Sequence, residues 1–125
     1  MAVKVQADDF DLAAELAAMR AGNHNIGAVA SFVGLVRDMA DLGDGGRDQV
    51  TAMTLEHYPG MTEKMLARID AEAQARWPLE ASLIIHRHGR LQAGEQIVLV
   101  ACASPHRTAA LEACHFLIDW LKTEA

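Results

Sequence analysis

Leu83–Ala103, LIIHRHGRLQAGEQIVLVACA, is the stretch on which the fold turns. Leu83 to His88 is a short apolar run and reads as a strand. Gly89 to Gly94 is bounded by glycines and reads as a turn, and Gln96 to Ala103 is an almost wholly apolar strand. Two strands in succession, with only a turn between them, break the strict strand–helix alternation of a doubly wound parallel sheet. Downstream, Pro105 to about Lys122 has the composition of a helix, with Ser104 as its N-cap and Pro105 in the first turn, where its missing N–H costs nothing. Upstream, Met61, Met65, Ile69 and Ala73 recur every four residues until Trp77-Pro78 stops the helix, and Pro59 sits where its first residue would be.

Further toward the N-terminus, Val50 to Tyr58 alternates as a strand. Ile26 to Arg37 is apolar on both faces and reads as a central strand. Asp8 to Arg20 places Phe10, Leu12, Ala13, Leu16, Ala17 and Met19 on a helical stripe, with aspartates at the end that the helix dipole favours. Ala2 to Gln6 alternates weakly. The resulting order, β-α-β-β-α-β-β-α, predicts an α+β fold: a mixed or antiparallel sheet with packed helices, one domain over residues 1–125. Met39 to Gln49, rich in glycine and aspartate, reads as a mobile surface loop inside that domain.

The 125 residues can bury about two-thirds of the unfolded surface, so the core needs no disulfide or metal staple. Hydrophobic residues make up 51% and charged residues 22%, which excludes disorder and coiled coil. The formal charge is −6 and the pI about 5.4, which argues against nucleic acid and anionic membranes as partners. No apolar run is long enough for a membrane span, and MAVKVQADDFD lacks the build of a signal peptide, so a cytoplasmic protein is expected. Cys102 and Cys114 lie in apolar stretches without CxxC spacing and read as buried free thiols.

Four places carry residues suited to chemistry. Ser104-Pro105-His106-Arg107 puts an imidazole and a guanidinium at a helix N-terminus, where the free N–H groups already favour an anion; the bland alternative is an Arg107 paired with a carboxylate. Arg37 ends a strand beside the glycine-rich loop and suits phosphate or carboxylate, unless it is simply a surface arginine. Lys122, one of three lysines, closes a helix bearing Phe116, Leu117, Ile118, Trp120 and Leu121. An ammonium beside such a surface is a candidate nucleophile or proton donor, against the alternative of a solvated lysine favoured by the helix C-terminus. His86 and His88, two apart on a strand, point to one face and are a candidate metal pair, but no third ligand stands at a recognisable spacing. His57 and His115 read as ordinary packed or hydrogen-bonded histidines, and Met61 and Met65 as core rather than cofactor contacts.

Taken together, GAV at 27–29, SFVGLVR at 31–37, LEHYPGM at 55–61, RWPL at 76–79, IHR at 85–87, GEQI at 94–97, SPHR at 104–107 and DWLKT at 119–123 resemble the catalytic, large subunit of molybdopterin synthase. The resemblance covers nearly everything after residue 26, in order. It implies sulfur transfer in molybdenum cofactor biosynthesis. A small ubiquitin-like subunit bears a C-terminal Gly-Gly thiocarboxylate and inserts its tail into a pocket of the large subunit. Sulfur then passes twice to cyclic pyranopterin monophosphate, forming the dithiolene. The resemblance also implies a homodimer within a heterotetramer, and neither a metal nor a resident cofactor. By position it assigns Arg37 and Lys122 to catalysis, with Leu35, Val36, Arg37, His106, Arg107 and Lys122 at the substrate. Family members continue past the Lys-Thr segment with a tail carrying Pro-Phe-Trp-Lys, whose lysine also serves catalysis; the sequence as given stops at Ala125.

Arg107 and Lys122 lie on what reads as one helix, about 22 Å apart at 1.5 Å per residue. A small pterin does not span that distance. Either the helix breaks between them, for which residues 109–121 offer no glycine or proline, or the two residues serve one site from different protomers. The dimer that the resemblance implies favours the second, so the expectation is a composite site, with Arg37 and Lys122 from one subunit and His106 and Arg107 from its twofold mate.

Overall fold

The computed structural model describes residues 2–37, 52–55 and 60–124. The elements run β1 (Ala2–Gln6), α1 (Leu12–Arg20), β2 (Ala28–Leu35), β3 (Ala52–Leu55), α2 (Met61–Arg76), β4 (Ala81–Arg87), β5 (Gly89–Gln92), β6 (Gln96–Ser104) and α3 (Arg107–Glu124). Four strands form a mixed sheet in the order β1-β4-β6-β2, with β1 parallel to β4 and the other pairs antiparallel. This is the α+β class that the doubled strands pointed to.

Strand alternation divides the core between the two faces of this sheet. Ile84 of β4 and Val100 and Cys102 of β6 face α2 and α3, meeting Leu66, Ile69, Ala73, Ala110, Ala113, Cys114 and Leu117. The intervening residues Leu83, Ile85, Leu99 and Ala101 face α1 and pack with Phe10, Leu12, Leu16 and Met19. Both faces of β4 and β6 are therefore covered, which explains their unbroken apolar runs. Trp77 fixes α2 against α3: its indole donates to Glu112 Oε1 at 3.1 Å, and its ring lies 5.3 Å from that of Phe116.

Several expectations need correction. Ile26 to Arg37 reads as a central strand, yet among the described residues β2 is an edge of the sheet. Apolar residues on both sides of a strand report covered faces, not paired edges. The segment 89–94 reads as a turn, but Gly89–Gln92 is β5, which pairs with β3 in a separate two-stranded sheet. Helix α1 begins at Leu12 rather than Asp8, because Asp11 accepts the Ala14 N–H and caps it there. Helix α3 begins at Arg107, and the His106 carbonyl accepts its first backbone bond, from Ala110. Ser104 stands just before that cap, accepting the His106 N–H and donating to the Pro78 carbonyl. Met61 is 61% exposed rather than packed; the buried face of α2 is Leu66, Ile69, Asp70 and Ala73. The expected loop at 39–49, with His57 and Pro59, lies outside the described residues.

Candidate active site

The last turns of α3 roof a depression of about 200 Å³ whose floor is the sheet. The floor is a single row across three strands. His86 of β4 is in register with Val98 of β6, and Val98 with Gly34 of β2. Phe32 lies two residues from Gly34 on the same side of β2, and Ile118, Leu121 and Lys122 close the space from above. Gly34 is what keeps it open, since a Cβ there would stand 2.8 Å from Val98 Cγ1. The lining is largely apolar, with one ammonium and one imidazole. A wider groove of about 500 Å³ runs along α2 past Met61, Lys64, Met65 and Arg68, but it holds none of the candidate catalytic or substrate-binding residues.

Arg37 belongs to the same end of the molecule. It follows β2 three residues after Gly34, a separation of about 10 Å at most. The chain is pinned just before it: Val36 donates to the Glu95 carbonyl at 2.9 Å and accepts from Gly94 at 2.8 Å. Val36 is buried and sets the direction of the chain, whereas Leu35 and Arg37 are exposed.

His106 and Arg107 are exposed at the opposite end. Two independent rulers give the separation. Helix α3 is unbroken from Arg107 to Glu124, which puts Arg107 and Lys122 about 22 Å apart. Along β2, Ala28 pairs with Ser104 while Gly34 pairs with Val98, a run of about 20 Å between the same two ends. The approach of Gly27 to Pro105 locks the far end: Gly27 donates to the Ser104 carbonyl, and a Cβ at Gly27 would collide with the Pro105 carbonyl oxygen. One chain therefore places Arg37 and Lys122 at one end of the sheet and His106 and Arg107 at the other.

His86 and His88 do not form a pair. β4 ends at Arg87, and the His88 N–H turns to the Gln6 carbonyl. Among the described residues no group of three His, Cys, Asp or Glu is arranged to hold a metal ion. His115 is a surface residue, 3.3 Å from Asp119 on the next turn.

Arg87 makes the floor of the depression rigid. Its buried guanidinium donates twice to the Ala7 carbonyl, at 2.9 and 3.1 Å, and once to the Gln96 carbonyl at 2.9 Å. Glu95 and Asp9 complete its surroundings at 3.4 and 3.7 Å. Asp9 is held below its ordinary pKa, first by the Gln96 amide that donates to it and then by the Phe10 N–H. A desolvated arginine met by carbonyls and carboxylates is costly to disturb, so β4 and β6 are fixed where they meet the site.

The thiols are not equipped to carry sulfur. Cys102 and Cys114 are both free and buried, and burial pushes their pKa values up to about 12 and about 11. Burial and a raised pKa leave both thiols with little thiolate character and little access, unlike a reactive cysteine.

The sequence profile of the MoaE protein family matches residues 5–124. The chain belongs to the MoaE family. Among its relatives, the molybdopterin synthase catalytic subunit of Ralstonia nicotianae is 58% identical over 123 residues, covering 98% of this chain and 67% of the relative. The MoaE protein of molybdopterin biosynthesis from Burkholderia ambifaria superposes with a TM-score of 0.86 at 52% identity, covering 100% of this chain and 81% of that one. A chain of the complex of subunits 1 and 2 of molybdopterin-converting factor from Helicobacter pylori shares the fold, with a TM-score of 0.78 at 22% identity, over 98% of this chain and 79% of that one. In this MoaE chain the lysine that the resemblance assigns to catalysis lines the depression, and the arginine follows the strand that floors it, within about 10 Å of Gly34. Sequence reasoning missed His86 as a neighbour of Lys122, because a separation of 36 positions carries no local spacing signal. Among the described residues no helix is long and apolar enough to cross a membrane.

Proposed function

We propose that this chain is the catalytic subunit of a molybdopterin synthase. It takes sulfur from the thiocarboxylated C-terminus of a small ubiquitin-like subunit and passes it to cyclic pyranopterin monophosphate in the cytoplasm. The observation that carries this reading is the depression under α3, where Lys122 stands over a floor left open by Gly34. An extended Gly-Gly tail has no side chains to accommodate and fits a depression of this size. Apolar walls strengthen the interaction of the ammonium with a thiocarboxylate or with the carbonyl oxygen of an acyl intermediate.

Arg37 at the rim offers a bidentate guanidinium for the substrate phosphate, and Leu35 and Val36 orient it. His106 and Arg107 supply a second cationic surface at a helix N-terminus, which favours anions by itself. Because that surface lies about 20 Å away in the same chain, it serves the site of a twofold-related copy. The assembly is a homodimer of this chain with one small subunit on each half, and all 125 residues act as one domain.

Calorimetry with the thiocarboxylate-carrying subunit tests the tail-insertion step. Binding is expected to be specific and to be lost when the last two glycines of the partner are deleted. Equal binding of the shortened partner would refute tail insertion.

A further inference from the structure

Ser104 is wholly buried where β6 turns into α3, and its hydroxyl serves two partners on different segments. It donates to the Pro78 carbonyl at 2.9 Å and accepts the His106 N–H at 3.1 Å. A serine at a helix start ordinarily turns its oxygen to the N–H groups of the first turn. Ser104 instead spends its oxygen before the helix begins at Arg107, and so leaves the first N–H groups of α3 to a ligand. The anchor at Pro78 is itself fixed. Leu79 donates to the Trp77 carbonyl at 2.9 Å, Glu80 to the Ala103 carbonyl at 2.8 Å, and the Trp77 indole reaches Glu112 in α3. His106 and Arg107 are exposed, so the backbone of this turn, not packing, aims their side chains.

We propose that Ser104 is a positioning residue for the anion-binding pair His106 and Arg107. Its hydroxyl ties the turn that carries them to the Pro78 carbonyl, and so sets the direction in which the imidazole and guanidinium meet the phosphate of the pterin. The inference rests on the sulfur-transfer reading and the composite site given above. Pro105 has no N–H to contribute, and the Ser104 carbonyl is already taken by the Gly27 N–H at 3.0 Å. Removing the hydroxyl takes from the Pro78 carbonyl and the His106 N–H the partner they share. The first turn of α3 then keeps its helix but loses its tie to the end of α2. A guanidinium that bonds an anion through two parallel N–H groups is sensitive to such a change of angle. The depression under Lys122 lies about 20 Å away along β2 and does not feel it.

The test is sulfur transfer by the full complex with thiocarboxylated partner, comparing wild type with Ser104→Ala and Ser104→Thr. Ser104→Ala is expected to bind the partner as wild type does and to raise KM for the pterin monophosphate about tenfold, with kcat at saturation near wild type. KM does not depend on the fraction of folded protein, so lost stability alone leaves it unchanged. Ser104→Thr keeps the hydroxyl and is expected to restore KM. At pterin concentrations below KM, exchange of Ser104→Ala subunits with Lys122→Ala subunits should recover activity, whereas exchange with Arg107→Ala subunits should recover none. Wild-type KM in Ser104→Ala, or a lowered kcat at wild-type KM, would reduce Ser104 to a role in stability. An equal defect in Ser104→Thr, or recovery with Arg107→Ala but not with Lys122→Ala, would also overturn the assignment. If the wild-type complex transfers no sulfur at all, the sulfur-transfer reading fails and takes this assignment with it.

Discussion

The separation of Arg107 from Lys122 makes the composite site testable by subunit exchange. Both residues sit on one unbroken helix of 18 residues, so their Cα atoms are about 22 Å apart. Lys122→Ala and Arg107→Ala are each expected to lose most of their activity as homodimers, the second when the pterin monophosphate is kept below its dissociation constant for that variant. When equal amounts exchange subunits, half of the dimers are mixed. In each mixed dimer one site receives both alanines and the other receives both native residues. The mixture should therefore regain about a quarter of wild-type activity. The assay is sulfur incorporation before and after exchange, with mixed dimers verified by native mass spectrometry. Verified exchange with no recovery would show that both residues act in one chain and that α3 bends in the complex.

Two further substitutions have directions fixed by the structure. Asp70 is fully buried on α2, and neither carboxylate oxygen makes a hydrogen bond of full geometry; burial raises its pKa above the ordinary 3.8, more than the neighbouring Ser82 lowers it. The native state thus holds this proton more tightly than the unfolded chain does, and stability falls as pH rises above that ordinary value until Asp70 ionises in the folded state. Asp70→Asn should stabilise the protein at neutral pH by about 1–3 kcal/mol, a rise of several degrees in Tm, and give no gain at pH 3. A lowered Tm at neutral pH would mean that the ionised carboxylate is satisfied. Arg107→Ala should weaken binding of the pterin monophosphate several-fold to a hundredfold, since a charge-assisted hydrogen bond contributes about 1.5–3 kcal/mol. Its exposed position at the start of α3 leaves the fold intact, so unchanged affinity in the folded variant would return Arg107 to a surface role.

Much of this architecture is legible in the sequence where local chemistry dictates it. The junction from β6 into α3 announces itself through Ser104-Pro105-His106-Arg107, and the apolar runs of β4 and β6 declare strands covered on both faces. The edge position of β2 is not legible, because pairing along an edge is a property of neighbours, not of its own side chains. β5 is hidden for a related reason: GRLQ is four residues beside a glycine, and only its ladder with β3 makes it a strand. Asp70 reads as an ordinary polar residue of an amphipathic helix, yet the crossing of α2 over the sheet buries it. The site was half visible. Arg37 and Lys122 stand out as cations at element ends, whereas His86 becomes their neighbour only through the β4–β6–β2 register.

The central claim is that Lys122 and the depression beneath it move sulfur and do not merely bind an anion. The direct measurement supplies the wild-type chain and Lys122→Ala with thiocarboxylated partner and cyclic pyranopterin monophosphate, and follows the sulfur content of the pterin. Wild type is expected to form the dithiolene, with two partner carboxylates released per pterin. Lys122→Ala is expected to bind both molecules and to transfer at least about 10²-fold more slowly. Tight binding of pterin and partner by the wild-type chain with no sulfur in the product would contradict the account and leave a noncatalytic anion-binding module.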